Sequence, residues 1–223
     1  MGWKTDYRSF YYQGAPEPED LILSPQETVL LTIDIQNVYL QLSDNPEQQA
    51  RWAPFLRRMR EVVIPTVKDL QNRFRTRGMD VLHARIGCHL EDGRDRSLSQ
   101  KKPGWNYLLL PRDEESSQIV PELAPRPGEV VVTKTTDSAL TGTNLRLILH
   151  NMGVKNVVMT GIFTDQCVSS TVRSLADESF NVIVIENGCA AGTDALHRQE
   201  LEIINMIYCQ VLDSGELLEI LSL

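Results

Sequence analysis

The stretch "VKNVVMTGIFTDQCVSSTVRSLADESFNVIVIEN", residues 154–187, decides the fold class. Its two ends, residues 154–162 and 180–187, are continuous β-prone runs, which are typical of strands buried on both faces of a sheet. Between them, apolar residues at helical spacing predict a helix over residues 166–179. The apolar positions on one face of that helix are Val168, Val172, Leu175 and Ala176. Strand, helix and strand in this order predict a parallel α/β sheet.

The same alternation continues on both sides of this stretch. Further strands are predicted within residues 28–35, 77–86, 128–134 and 209–213, and further helices within residues 47–77, 141–153, 193–208 and 214–222. Pro65 is expected to kink or split the first of these helices. The sequence therefore predicts an α/β fold, with three α/β/α layers around a six-stranded parallel sheet.

This pattern divides the chain into an N-terminal arm, residues 1–25, and a single domain, residues 26–223. The arm is polar and aromatic and contains two prolines. Within the domain, residues 87–128 are charged, contain Pro and Gly, and show little periodicity. A loop of this length in a compact domain is often functional, so we expect it to help select the ligand.

Composition and charge argue against several classes of partner. The chain has 223 residues, of which 42% are hydrophobic and 23% are charged, as in ordinary globular proteins. Its formal net charge of −8 argues against nucleic acid or an anionic membrane as the main partner. No apolar run approaches the roughly 18 residues of a membrane span, and residues 1–14 lack the apolar segment of a secretory signal. We therefore expect a cytoplasmic protein.

Four cysteines, Cys88, Cys167, Cys189 and Cys209, are expected to be reduced thiols, because disulfides are rare in the cytosol. No C-x-x-C pair is present, so the pattern favours neither a zinc site nor a thioredoxin-like redox motif. Three of the four show no partner pattern and are interpreted as structural. Cys167 differs because it follows a predicted strand and opens a predicted helix.

Three reactive side chains occupy equivalent positions in the pattern: Asp34 and Lys134 each end a strand, and Cys167 follows one. In open parallel sheets, ligands bind outside the carboxyl ends of the strands, so an acid, a base and a thiol could converge there. A helix N-terminus and a nearby ammonium both lower the pKa of a thiol, which favours the nucleophilic thiolate. A carboxylate within reach can take the thiol proton and later pass it to a leaving amine.

Each of these residues also has an ordinary structural explanation. A lone cysteine is commonly a small core residue, an Asp after a strand commonly caps a turn, and a Lys at a strand end is commonly solvated. The spacing alone favours neither the catalytic nor the structural interpretation.

Three segments carry a resemblance to the isochorismatase-like cysteine hydrolase superfamily. The first, "LLTIDIQNVYL", contains an Asp followed two residues later by Gln, here Asp34 and Gln36. The second, "VVTKTTDSALTGTNL", contains Lys134 followed by Ser-Ala and Gly-Thr. The third, "VVMTGIFTDQCVSSTVR", has the pattern Thr-Gly-x-x-Thr-x-x-Cys-Val around Cys167. Their order and spacing fit the family from about residue 28 to residue 212.

The resemblance implies a catalytic triad of Asp34, Lys134 and Cys167. It also implies a cis peptide bond between Ile162 and Phe163, which would direct the backbone N–H groups of Phe163 and Cys167 at an oxyanion. Members that act on isochorismate lack the cysteine, so Cys167 indicates the amidase branch, which resembles ureidoacrylate and N-carbamoylsarcosine amidohydrolases. Residues 40–60 contain no histidine, so the metal site of nicotinamidases is not expected, nor is a cofactor.

The candidate substrate-pocket residues are Gln36, Tyr39, His83, Arg85, Trp105 and Gln166. His83 either packs beside the site, forms a dyad with Cys167, or pairs with His89 at a metal ion. Trp105 either lines the pocket or anchors its loop.

We therefore expect a metal-independent cysteine hydrolase that cleaves a C–N bond of a small amide, carbamoyl or ureido compound through a thioester. The family also implies a homodimer or homotetramer. Two alternatives stay open: an isochorismatase-type vinyl ether hydrolase that retains Cys167, and a non-catalytic protein that binds a ligand or partner in the same crevice.

Overall fold

Six parallel strands form the centre of the protein in the computed structural model, which describes residues 2–222. These strands are β1 (Thr28–Ile33), β2 (Asp80–Ile86), β5 (Val130–Lys134), β6 (Asn156–Ile162), β7 (Asn181–Ala190) and β8 (Gln210–Leu212). Two short antiparallel strands, β3 (Lys101–Lys102) and β4 (Asn106–Tyr107), form a separate hairpin. The predicted six-stranded parallel sheet is confirmed.

The strand order β5-β2-β1-β6-β7-β8 places β1 and β6 side by side at the centre of the sheet. From β1 the chain builds outward through β2 and β5, and it then returns to build the other half from β6. The order therefore reverses between β1 and β6. All residues of these two strands are buried, as their apolar sequences require.

Helices cover both faces of the sheet, which confirms the three predicted layers. The helices are α1 (Asn37–Leu40), α2 (Pro46–Arg58), α3 (Ile64–Thr76), α4 (Leu145–Asn151), α5 (Ser169–Asp177), α6 (Asp194–Ile204) and α7 (Ser214–Leu221). Apolar residues of α4, α5 and α6 pack on one face, and those of α2, α3 and α7 pack on the other. Short 3-10 turns lie at Gly2–Lys4, Phe10–Tyr12, Pro25–Glu27, Leu98–Gln100, Glu115–Ser117 and Pro121–Leu123.

Two helices differ from the predicted continuous segments. The helix expected over residues 47–77 is interrupted by a π-helical turn, Met59–Val63, and Pro65 lies in the first turn of α3. A proline is tolerated there because the N–H that it lacks has no intrahelical acceptor in the first turn. The helix expected over residues 166–179 begins with a second π-helical turn, Thr164–Val168, which contains Cys167.

The long segment between β2 and β5 is held by polar anchors rather than by a periodic apolar face. Arg96 is buried and donates to the carbonyl groups of Gly93, Gln100 and Leu108. Farther along, the backbone N–H of Asn37 donates to the carbonyl of Gln118, 2.9 Å away. Arg96 thus holds parts of the segment to one another, and the Asn37 contact ties the segment to the chain that follows β1.

The N-terminal residues pack against the last two helical regions. Trp3 is buried, and its backbone N–H donates to Glu216 Oε1 at 3.0 Å. The amide of Asn205 donates to the carbonyls of Asp6 and Tyr7. Met1 and Leu223, the first residue of the predicted arm and the last of the predicted domain, lie outside the described residues. Within residues 2–222, no helix is both long enough and apolar enough to cross a membrane.

Candidate active site

Asp34 lies directly after β1, at the point where the strand order reverses. Its backbone N–H donates to the carbonyl of Ala84 in β2 at 2.9 Å, and its φ of 52° is left-handed. Non-glycine residues adopt this conformation uncommonly, and such residues cluster at functional sites. The residue is only 2% exposed, so the bend turns a carboxylate into the protein at the sheet edge.

Lys134 ends β5 and reaches Asp34 across the end of β2. Its Nζ lies 2.7 Å from Asp34 Oδ2 and donates to the carbonyl of Thr136 at 3.2 Å. The lysine is fully buried. A buried ammonium is tolerated when it is paired and hydrogen-bonded, and Asp34 and Thr136 supply these contacts.

Cys167 lies in the π-helical turn that follows β6, the strand beside β1. Gly161 allows the two strands to approach closely: its φ is 127°, and a Cβ there would lie 2.1 Å from the carbonyl oxygen of Ile33. The peptide bond between Ile162 and Phe163, at the end of β6, is cis. Cys167 is 6% exposed, and its carbonyl accepts from Thr171 Oγ1 at 2.7 Å. Cys167 interacts with both Asp34 and Lys134, so the structure brings the three side chains together where the strand order reverses.

Burial and mutual charge determine the protonation of these three groups. Burial raises the pKa of Asp34, although Lys134 opposes the shift. Burial alone would lower the pKa of Lys134, but the charges of Asp34 and Cys167 raise it. The pKa of the Cys167 thiol is raised by burial and by Asp34. The expectation of a lowered pKa at Cys167 is therefore wrong, because burial outweighs the nearby ammonium and the helix end.

Asp137 is a neighbour of the thiol that the sequence reasoning missed. Cys167 Sγ lies 3.9 Å from Asp137 Oδ1, within the range of a weak S–H···O contact. Asp137 follows Lys134 by three residues, in the loop after β5. An Asp in such a polar loop looks like an ordinary turn residue, so only its closeness to Lys134 could have drawn attention to it.

Three of the six predicted pocket residues line clefts at the Thr164–Val168 turn, which contains Cys167. The ring of Tyr39 packs edge-on against Phe163, with 5.5 Å between the ring centroids. Burial and the charges of Asp34 and Cys167 raise the pKa of Tyr39 well above its usual value. Tyr39 and Phe163 line a cleft of about 350 Å³, and Gln166 lines a second cleft of about 700 Å³. Trp105, 78% exposed on the β3–β4 hairpin, forms part of the second cleft.

The other three predicted pocket residues are engaged in structural contacts. The Gln36 amide donates to the carbonyls of Ile86 and Ser117, and its oxygen accepts from the Ile86 N–H, so it joins the ends of β1 and β2. Arg85 donates to Gln118 and to Thr133 Oγ1.

His83 is fully buried in mid-strand, and its Nε2 lies 3.0 Å from Oε2 of Glu129, which directly precedes β5 and pairs with Arg75 of α3. His89 contacts Arg112 instead, with 3.1 Å between His89 Nδ1 and Arg112 Nη1. Within residues 2–222, no group of three or more His, Cys, Asp or Glu side chains is arranged to hold a metal ion.

Comparison with known proteins gives one family and several relatives. The model of the isochorismatase domain matches residues 28–216. A ureidoacrylate amidohydrolase RutB from Pseudomonas savastanoi pv. phaseolicola is 30% identical over 191 residues, which cover 79% of this chain and 76% of that protein.

Two solved structures share the fold at low identity. A cysteine hydrolase from Pseudomonas syringae pv. phaseolicola has a TM-score of 0.78 at 18% identity, covering 93% of this chain and 98% of that one. An N-carbamoylsarcosine amidase from Thermoplasma acidophilum has a TM-score of 0.66 at 20% identity, covering 84% and 96%.

Proposed function

The chain belongs to the isochorismatase family, and from this premise we propose that it is an amidohydrolase with a cysteine nucleophile, cleaving a C–N bond of a small amide, carbamoyl or ureido compound. One observation carries the proposal: the buried Asp34–Lys134 pair, 2.7 Å apart, lies beside Cys167 at the reversal of strand order. The similarity to a ureidoacrylate amidohydrolase supports the same reaction class.

In the first half of the reaction, Cys167 Sγ attacks the amide carbonyl. Because the raised pKa keeps Cys167 a thiol at rest, Asp34 takes the proton as the C–S bond forms. Lys134 stabilises Asp34 while the carboxylate is charged. The backbone N–H groups of Phe163 and Cys167 would stabilise the oxyanion. Asp34 then passes its proton to the leaving nitrogen, the C–N bond breaks, and a thioester remains.

In the second half, water replaces the amine. Asp34, again a carboxylate, takes a proton from the water as its oxygen attacks the thioester carbonyl. The C–S bond breaks, the proton returns to the sulfur, and the acid product leaves. Each group ends in the protonation state in which it began, so the cycle needs no external acid or base.

The proposal is tested by measuring ammonia release from a panel of linear amides, ureas and carbamoyl compounds. We expect Cys167→Ala to lower kcat by at least about 10³-fold, because the nucleophile is lost. Cys209→Ala is the matched control, since Cys209 is also a buried free thiol but directly precedes β8, away from Asp34 and Lys134 in the sheet. Mass spectrometry after an acid quench should detect the acyl group on the peptide that contains Cys167.

Wild-type turnover in Cys167→Ala would contradict the nucleophile assignment. Isochorismate belongs in the same panel, with pyruvate as the readout. Pyruvate release that survives Cys167→Ala would identify a vinyl ether hydrolase instead.

A further inference from the structure

The second cleft, beside Cys167, contains an acidic group, Asp137, that forms no ion pair with any cation of residues 2–222. The carboxylate of Asp137 lies 3.9 Å from Cys167 Sγ, and its other contacts within the described residues are Ser99 Oγ and Gln100 Nε2, each at 3.5 Å. All three contacts are uncharged or weak donors. Asp165 is a second carboxylate on the same cleft. A ligand that reaches the thiol through this cleft therefore passes a negative charge.

Two cations close to this cleft, Arg173 and Lys134, each already have an anionic partner. Arg173 lines the same cleft, but its Nη1 lies 2.9 Å from Glu200 Oε1 and its guanidinium stacks over the ring of Tyr208. Lys134 is fully buried and paired with Asp34, and the charge of Arg173, whose side chain is 36% exposed, is already shared with Glu200.

The first cleft, on the other side of the turn, offers no charge at all. Its lining is aromatic, aliphatic and amide-bearing, with Tyr39, Trp52, Leu56 and Phe163 as its apolar members. A third, smaller cleft of about 260 Å³ contains Arg51, an exposed arginine, but it also contains Asp165. Arg51 is thus an exposed cation near the Thr164–Val168 turn that a substrate carboxylate could reach, so the test must include it.

We propose that Asp137 is a specificity-determining residue that selects against carboxylate-bearing substrates, so that this enzyme acts on neutral or cationic small amides. The inference rests on the proposed function for the reaction, but the charge of the cleft can be measured without turnover. The expected preference also distinguishes this chain from the similar ureidoacrylate amidohydrolase, because the name of that relative describes a substrate with a carboxylate.

The charge of the cleft is read by alkylating Cys167 with two reagents that differ in charge. Neutral iodoacetamide and anionic iodoacetate both require the thiolate, so the ratio of their rates does not depend on the thiol pKa. Each rate is followed on the peptide that contains Cys167. We expect the ratio of iodoacetamide to iodoacetate to fall about tenfold in Asp137→Asn, as removal of one charge a few ångströms away predicts.

Two controls test whether a change in the ratio of alkylation rates comes from the charge of Asp137. Asp69→Asn removes one negative charge from the exposed surface of α3 and should leave the ratio unchanged. Raising the ionic strength from about 10 mM to about 1 M shortens the Debye length from about 30 Å to about 3 Å and should narrow the wild-type ratio. An unchanged ratio in Asp137→Asn overturns the inference. So does a preference for iodoacetate that disappears in Arg51→Gln, because it would assign a carboxylate site to Arg51.

Matched ureas then separate this inference from the proposed function. N-(2-aminoethyl)urea, N-propylurea and 3-ureidopropionate have the same carbamoyl end and differ in the charge of the other end. We expect kcat/KM to decrease in that order, and the order to flatten in Asp137→Asn. Faster turnover of 3-ureidopropionate would overturn the inference and leave the hydrolase assignment intact. No ammonia release from these ureas or from the broader panel would reject the proposed function, while the alkylation ratio would still decide the charge of the cleft.

Discussion

Two carboxylates near the same sheet, Asp34, which is buried, and Glu129, which is partly buried, have contrasting surroundings. At the carboxyl edge, the Asp34 carboxylate has one cationic partner, Lys134, at 2.7 Å. Next to β5, the Glu129 carboxylate accepts two hydrogen bonds from the Arg75 guanidinium, at 2.7 and 2.9 Å. It also accepts from the Arg126 backbone N–H at 2.9 Å and from His83 Nε2 at 3.0 Å.

The number of donors explains why the two carboxylates shift in opposite directions. Burial raises the pKa of Asp34, and its single cation only reduces the shift. Burial acts on Glu129 as well, but the donors of Arg75, Arg126 and His83 outweigh it, and the pKa of Glu129 falls to about 2. A partly buried carboxylate whose acceptor positions are filled by donors, as in Glu129, stabilises the fold. A buried carboxylate with few donors, beside a thiol, can take up a proton.

The largest expected difference between the two carboxylates is in kcat, when each is replaced by its amide. Asp34→Asn should lower kcat by about 10³-fold, because the amide cannot take the thiol proton. Glu129→Gln should leave kcat within about threefold of wild type, since Glu129 contacts neither Cys167 nor the clefts around it. Steady-state kinetics on the best substrate of the panel measures both.

Circular dichroism checks that both variants are folded before their rates are compared. Near-wild-type turnover in Asp34→Asn would remove the base role from Asp34. That role would then move to Asp137, the other carboxylate within contact distance of the sulfur.

For Glu129, the larger expected effect is on stability rather than on kcat. Glu129→Gln should lower the free energy of unfolding by about 2 kcal/mol at pH 7, because charged hydrogen bonds are lost. The folded-state pKa of Glu129, about 2, lies below its unfolded value of 4.5, so its contribution is present above pH 4.5 and is lost as the pH falls toward 2.

Urea unfolding of wild type and Glu129→Gln at several pH values tests this sign. The difference between the two proteins should be largest near neutral pH and should shrink between pH 4.5 and the lowest pH at which both still fold. A difference that grows in acid would show that the pKa of Glu129 is raised in the folded state.

The same comparison explains what the sequence could and could not predict. Asp34, Lys134 and Cys167 could be predicted as neighbours because each follows a strand, and parallel strands present their carboxyl ends at one edge. His83 also lies on a strand, but its environment depends on Arg75 in α3 and on Glu129, 46 residues away. No local pattern encodes that contact. Asp137 was missed for the same reason, since its loop has no period.

The π-helical turns are another feature that the sequence pattern does not predict. The apolar spacing over residues 166–179 predicts a helix correctly, but the wider i→i+5 turn at Thr164–Val168 changes which side chains face the sheet edge. The spacing of apolar residues is too coarse to register such a change. Helix existence therefore follows from the sequence, whereas the direction of the Cys167 side chain depends on tertiary packing around Gly161 and Phe163.

Replacement of His83 is expected to have the smallest effects on kcat and on stability. The sequence also allows His83 as a dyad partner for Cys167. Burial lowers the pKa of His83, although Glu129 opposes the shift, so the ring is neutral and donates through Nε2 to Glu129. Gln can retain one donor toward Glu129, so His83→Gln should change kcat by less than about threefold and lower the unfolding free energy by about 1 kcal/mol. Kinetics and urea unfolding of the same preparation measure both values. A fall in kcat of about 10²-fold without a matching loss of stability would place His83 in the reaction, and the division between a structural and a reactive carboxylate would no longer hold.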